Sequence, residues 1–118
     1  MFLKNSIGLI ELGSIAAGMQ AADIMLKTSD VELILSRTIC SGKYMTLIGG
    51  DVAAVNTAVE AAVQTLAYGV IDSMVIPNVH PSIFPAIAGH THVDLLEALG
   101  IIESFSVASM IEAADAAV

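Results

Sequence analysis

Gly8-Leu9-Ile10-Glu11 returns 92 residues later as Gly100-Ile101-Ile102-Glu103, and the match continues past both copies. Ser14 aligns with Ser106, Ile15 with Val107 and Ala16 with Ala108; Ala21-Ala22-Asp23 then returns as Ala113-Ala114-Asp115. A constant offset over such a run marks a repeated structural unit. The sequence therefore predicts one whole domain over residues 1–98 and, over residues 99–118, the opening strand and helix of a second. On this reading the chain is a tandem protein cut short in its second half.

The repeated stretch also sets the local structure. Ile7 to Leu12 is an apolar run of strand length. Ser14 is suited to cap a helix, and Ile15, Met19, Ala22 and Met25 fall at helical spacing, predicting one buried face up to Lys27. Thr28-Ser29-Asp30 is a turn. Val31, Leu33 and Leu35 alternate with more polar neighbours, as a strand does. Cys40-Ser41-Gly42 interrupts, Tyr44 to Ile48 returns as a strand, and Gly49-Gly50-Asp51 ends it with Asp51 as the next N-cap. Val52, Val55, Val59, Ala62 and Leu66 step by three and four along a second helix. Tyr68-Gly69 closes that helix, and Val70 to Ile76 is a fourth strand. Pro77, Pro81 and Pro85 then leave room only for short helical pieces. This order is the α+β, ferredoxin-like βαββαβ arrangement, an antiparallel sheet with two helices on one face.

Composition narrows the function. Hydrophobic residues are 56% of the 118 and aromatic ones 4%, so the core is packed from alanine and aliphatic side chains without large rings. Charged residues are 14%, below the usual quarter, as suits a chain that hides surface in an assembly. A net charge of -8 and four scattered basic residues exclude nucleic acid as a partner. No apolar run reaches the roughly 18 residues of a membrane helix. Met1-Phe2-Leu3-Lys4-Asn5-Ser6 lacks the apolar core and cleavage site of a leader, so the expected location is the cytoplasm. The single cysteine, Cys40, excludes an internal disulfide.

Several polar residues invite chemistry and do not supply it. His80, His90 and His92 match no zinc spacing and read as loop and capping residues. Gly49-Gly50-Asp51 is not followed by the lysine of a phosphate-binding loop. Asp72 has no evident partner, and the repeat-equivalent Asp23 and Asp115 suggest a structural role. Without a serine–histidine–acid set or convergent carboxylates, the chain is not expected to be an enzyme.

Gly8-Leu9-Ile10-Glu11, Ala21-Ala22-Asp23-Ile24-Met25-Leu26-Lys27 and Gly49-Gly50-Asp51-Val52-Ala53-Ala54-Val55 resemble the shell-protein domain of bacterial microcompartments. The likeness covers the whole first unit and the start of the second. It implies ring-shaped structural tiles: hexamers in single-domain members, and trimers that mimic hexamers in tandem members. Such homo-oligomers pack with other shell proteins around metabolic enzymes in a cytoplasmic microcompartment.

Ser36-Arg37-Thr38-Ile39-Cys40-Ser41-Gly42-Lys43 and Asn78-Val79-His80-Pro81 resemble, more narrowly, an iron–sulfur tandem subgroup of the propanediol-utilisation type. The resemblance makes Thr38, Ile39, Cys40, Ser41, Gly42 and Lys43 a pore loop facing the symmetry axis. It makes Cys40 a ligand of one 4Fe–4S cluster per trimer. Clusters are held by cysteine thiolates, and three thiolates related by a threefold axis supply what one alone cannot. Six identical single units would place six cysteines round the axis, which is a different geometry. By the same resemblance Lys27 and Asp30 lie at the edge where neighbouring rings meet, and Asn78 stands where many members carry an arginine. The implied function is a shell tile whose pore cluster passes electrons, or a cluster, across the shell to enclosed redox enzymes. A plain metabolite pore lined by Cys40 is one alternative. A trimeric ferredoxin-like regulator binding a small molecule is another, against which stands the scarcity of basic residues.

Overall fold

Every residue of β1 (Ser6–Leu12) is buried, which a strand can be only when both faces of its sheet are covered. The computed structural model describes residues 5–118; Met1, Phe2, Leu3 and Lys4, part of the opening read above as lacking a leader, lie outside the described residues. β1 pairs antiparallel with β3 (Lys43–Gly50) on one side and β4 (Val70–Ile76) on the other. β2 (Val31–Ile39) adds to the far edge of β3, giving the order β2-β3-β1-β4. Helices α1 (Ile15–Thr28) and α2 (Val52–Thr65) join β1 to β2 and β3 to β4. This is the expected ferredoxin-like topology.

Alternation along β1 divides the core in two. Ile10 and Leu12 join Ile48, Met25, Val55, Val59 and Ala62 beneath α1 and α2. Ile7 and Leu9 point the other way, joining Met45, Leu47, Met74 and Ile76. That back face is covered by α3 (Ile83–Ile87) and α4 (Val107–Ala117), through Ile83, Ala108 and Ile111. The sequence predicts helices on one face only; the structure adds this second layer. The reason is that β1 and β3 are apolar on both sides. Leaving Ile7, Leu9 and Leu47 in water would forfeit about 1.5–3 kcal/mol for each.

The buried face of α1 differs from the predicted one. Gly18, Ala21, Ala22 and Met25 are buried, whereas Ile15 is 40% and Met19 58% exposed. Close approach decides this. A Cβ added at Gly18 would lie 2.4 Å from Cβ, Cγ and Cδ1 of Tyr44, so the helix rests on that ring at the one residue without a side chain. Gly8 plays the same part for α2, where an added Cβ would lie 2.7 Å from Val55 Cγ1 and Val59 Cγ2. Val52, also predicted to be inward, is 41% exposed.

The repeat is visible in the caps. Ser14 Oγ accepts from the Ala17 N–H at 3.3 Å, and Ser106 Oγ accepts from the Ser109 N–H at 3.2 Å, three residues on in each case. Ser14→Ala is expected to lower stability by about 1 kcal/mol, read from urea unfolding. The second copy is incomplete in one respect. Gly100–Glu103, predicted as a strand, pairs with no strand among the described residues, and extended backbone without an edge to join is not held as a strand. Asp115 keeps a structural role, but a different one from Asp23. Asp23 pairs with Lys27, while Asp115 Oδ1 accepts from the His80 backbone N–H at 2.7 Å.

Candidate functional site: the Cys40 loop and its surroundings

Ile39 pairs with Lys43, so Cys40, Ser41 and Gly42 form the whole connection between β2 and β3. A three-residue hairpin must reverse the chain with left-handed residues. Here Ser41 has φ 59 and Gly42 φ 75. Glycine accepts that conformation freely, while a serine gives up about 1–2 kcal/mol to adopt it. The reversal leaves Cys40, Ser41 and Gly42 exposed, with Ile39 and Lys43 half-buried at the base and Thr38 exposed beside them. A Cβ added at Gly42 would meet nothing within 4 Å, so the tip stands clear of the rest of the fold.

Cys40 carries a free, exposed thiol. Among the described residues no three His, Cys, Asp or Glu side chains gather to hold a metal ion, so one chain offers a single soft ligand. An iron–sulfur cluster fits this donor set only by pooling copies. A thiol on a projecting tip flanked by a serine and a glycine is small enough for three copies to meet on one axis, and thiolate is the ligand such clusters take.

Beneath the loop, Glu11 and Asp72 are direct cross-strand partners, and Glu11 is only 1% exposed. Two carboxylates placed opposite each other repel. The N-terminus of α4 sits over them: Glu11 Oε1 accepts from the Ala108 N–H at 2.9 Å, and Asp72 Oδ2 accepts from the Ser106 hydroxyl at 2.5 Å. The partial positive charge of the helix end offsets both acids. Asp72, without an evident partner in the sequence, thus has two, since it also accepts from the Ser73 N–H. A cleft of about 270 Å³ separates the loop from α4, with Cys40, Lys43, Phe105 and Met110 in its walls. Glu11→Ala removes a charged acceptor from a buried N–H, for about 1.5 kcal/mol. The amides of α4 are expected to exchange with deuterium about tenfold faster in that variant, by the same arithmetic. Sequence reasoning passed over Glu11; its signal was an acid inside an apolar strand, repeated as Glu103.

The other predicted site residues lie at the opposite end of the sheet. Val31, Gly50 and Ser6 are aligned there, while Ile39 and Lys43 mark the loop end, eight residues of β3 away, or roughly 23 Å. Asp30 precedes Val31, Asn78 follows β4, and Lys27 lies in the last turn of α1; all three are exposed. Lys27 Nζ is 2.8 Å from Asp23 Oδ1 in an exposed pair, which adds little stability. The histidines are loop residues. His80 Nδ1 accepts from the Ser82 N–H at 3.2 Å, and His92 Nε2 lies 2.7 Å from Asp94 Oδ1 on an exposed loop.

Residues 6–79 match the family model of the BMC domain. The chain belongs to the BMC-domain family. It is 47% identical over 116 residues to the bacterial microcompartment shell protein PduT of Citrobacter freundii, covering 98% of this chain and 63% of that protein. It is 33% identical over 87 residues to the carboxysome shell protein CsoS1C of Hydrogenovibrio crunogenus, covering 70% of this chain and 84% of that one. The crystal structure of a microcompartment protein from Desulfitobacterium hafniense DCB matches with a TM-score of 0.78 and 52% identity, over 93% of this chain and 61% of that one. The chain thus spans somewhat less than two thirds of the PduT relative and of that solved structure. The two curated relatives are described as shell proteins, one of a bacterial microcompartment and one of a carboxysome.

Proposed function

We propose that this BMC-domain chain contributes to a ring-shaped tile of a cytoplasmic microcompartment shell, with the Cys40 loops meeting at a central pore and holding one 4Fe–4S cluster between three copies. The observation that carries the reading is the placement of Cys40. The only thiol of the chain stands on a projecting tip at one end of the sheet, and Lys27, Asp30 and Asn78 stand at the other. A ring needs this polarity: small side chains at the axis, contact residues at the rim.

A bound cluster would supply one-electron transfer at the pore, serving redox enzymes enclosed by the shell. The chain's own part is to hold the thiolate. Pairing of Ile39 with Lys43 fixes the base of the loop, and the left-handed Ser41 and Gly42 turn Cys40 outward. With three thiolates for four irons, the last iron would need a ligand other than cysteine. Rim residues would meet neighbouring tiles, including other shell proteins.

Native mass spectrometry of protein purified without oxygen tests this. The expected species is three chains plus one 4Fe–4S unit. A ring of chains with no added mass favours the second reading, a metabolite pore that Cys40 and Ser41 merely line. A monomer at all concentrations overturns the tile reading for this length of chain. The small-molecule regulator has no support now that the chain stands among shell proteins.

A further inference from the structure

α3 and α4 cover the back of the sheet unevenly. α4 packs against β4 and β1, which leaves the back of β2 as the floor of a cavity of about 300 Å³ walled by both helices. Leu35 and Arg37 are two apart on β2 and so stand on one face. Met45 is the cross-strand partner of Arg37, and Met110 of α4 adds a further wall. Ala86 of α3 and Ala114 of α4 present only methyl groups where longer side chains would fill the gap. The walls are chemically one-sided. Among the described residues that line the cavity, Arg37 alone carries charge, and the rest are aliphatic or methionine. Its Nε–H donates to the Thr38 carbonyl at 3.4 Å, and among the described residues no carboxylate pairs with it. A guanidinium carries five N–H donors. Most of this one's are therefore open to a ligand, at an exposed residue on the edge of an apolar space.

We propose that this cavity binds an aliphatic monocarboxylate of medium chain length, its chain against Leu35, Met45 and Met110 and its carboxylate on Arg37. The volume lies at the lower end of the range for small-molecule sites. A sugar or a nucleotide needs several convergent polar groups, and a cation needs an acid; the walls offer neither. One arginine fork satisfies the two oxygens of a carboxylate, whereas a phosphate would keep oxygens unmet. The floor belongs to the first unit and α4 to the start of the second, so an occupant braces α4 on the sheet. The proposal goes beyond the ring-tile reading and does not rest on it, because every wall comes from one chain.

The test is an NMR titration of the full chain, ¹³C-labelled at its methionine methyls and purified without oxygen, with sodium octanoate below its micelle-forming concentration. The Met45 and Met110 methyls are expected to shift, while that of Met25, in the core beneath α1 and α2, stays where it is. Across butanoate, hexanoate and octanoate, affinity should rise about fourfold for each added methylene. Arg37→Gln, at an exposed residue, is expected to weaken octanoate roughly tenfold and to leave 1-octanol unchanged. Ala86→Phe fills the cavity from an exposed position and should abolish binding of both. The amides of α4 should exchange more slowly with octanoate bound. Unmoved Met45 and Met110 methyls overturn the site. Equal octanoate binding by Arg37→Gln overturns the carboxylate class, and a like shift of every methionine methyl marks a detergent-like coating and overturns both. None of these arms depends on the number of chains or on a cluster, so this proposal and the tile reading can each fail alone.

Discussion

Cys40→Ser protein purified without oxygen is expected to be colourless, with iron and acid-labile sulfide falling from one cluster per three chains to none. The loss is total because the chain has one cysteine, and a neutral hydroxyl does not replace a thiolate on iron. The fold should be indifferent to the change. Cys40 is exposed, so the melting temperature is expected to stay within error. That pairing of outcomes separates ligation from structure. Iron and sulfide retained in stoichiometric amounts by the serine variant would remove Cys40 from the site. Their absence from the unaltered protein as well would leave the metabolite pore as the better reading.

Gly18→Ala is expected to unfold well below the unaltered protein, against the usual rule for helices. In an exposed helix interior the change would add about 1 kcal/mol of stability. Here the new methyl would lie 2.4 Å from three atoms of Tyr44. One of those atoms is Cβ, fixed by the β3 backbone, so no rotamer relieves the overlap. Overpacking of this kind costs about 1–3 kcal/mol, and more where the neighbour cannot yield. We expect a net loss of about 2 kcal/mol and a melting temperature lower by roughly 8 °C. Tyr44→Ala should be destabilising alone, yet Gly18→Ala added to it should cost far less, a coupling that a double-mutant cycle measures. A higher melting temperature for Gly18→Ala would show that α1 can slide off the ring freely. The Tyr44 hydroxyl also accepts from the Ser36 hydroxyl at 2.9 Å, so movement of this ring reaches β2 beside the Cys40 loop.

The sheet order and the two crossover helices were legible because each announces itself locally. Val55, Val59 and Ala62 repeat at helical spacing, and Ile7 to Leu12 is apolar and bounded by a glycine and a cap. Cys40 was legible as the one thiol between two strands. What failed was whatever depended on shape. Ile15 and Met19 look like core residues by hydrophobicity, but the close approach at Gly18 turns them outward. The back layer was hidden because β1 reads the same whether one face is covered or two. Gly100–Glu103 matches β1 in sequence and fails to be a strand, since pairing is a property of neighbours and not of the segment. Glu11 and Asp72 found their meaning only when the start of a helix 97 residues from the one and 34 from the other landed on them.

The register of β3 has a geometric corollary. In a ring with Cys40 at the centre and Asp30 at the rim, the strands lie along the spokes, and their residue count is the radius of the tile. Lengthening a spoke by one residue would swap every later side chain between the α1–α2 face and the α4 face, exchanging Leu47 for Ile48 and unmaking both cores at once. Only paired changes in all four strands keep the layers intact. In such a ring the radius would change only in the steps that the pleat allows.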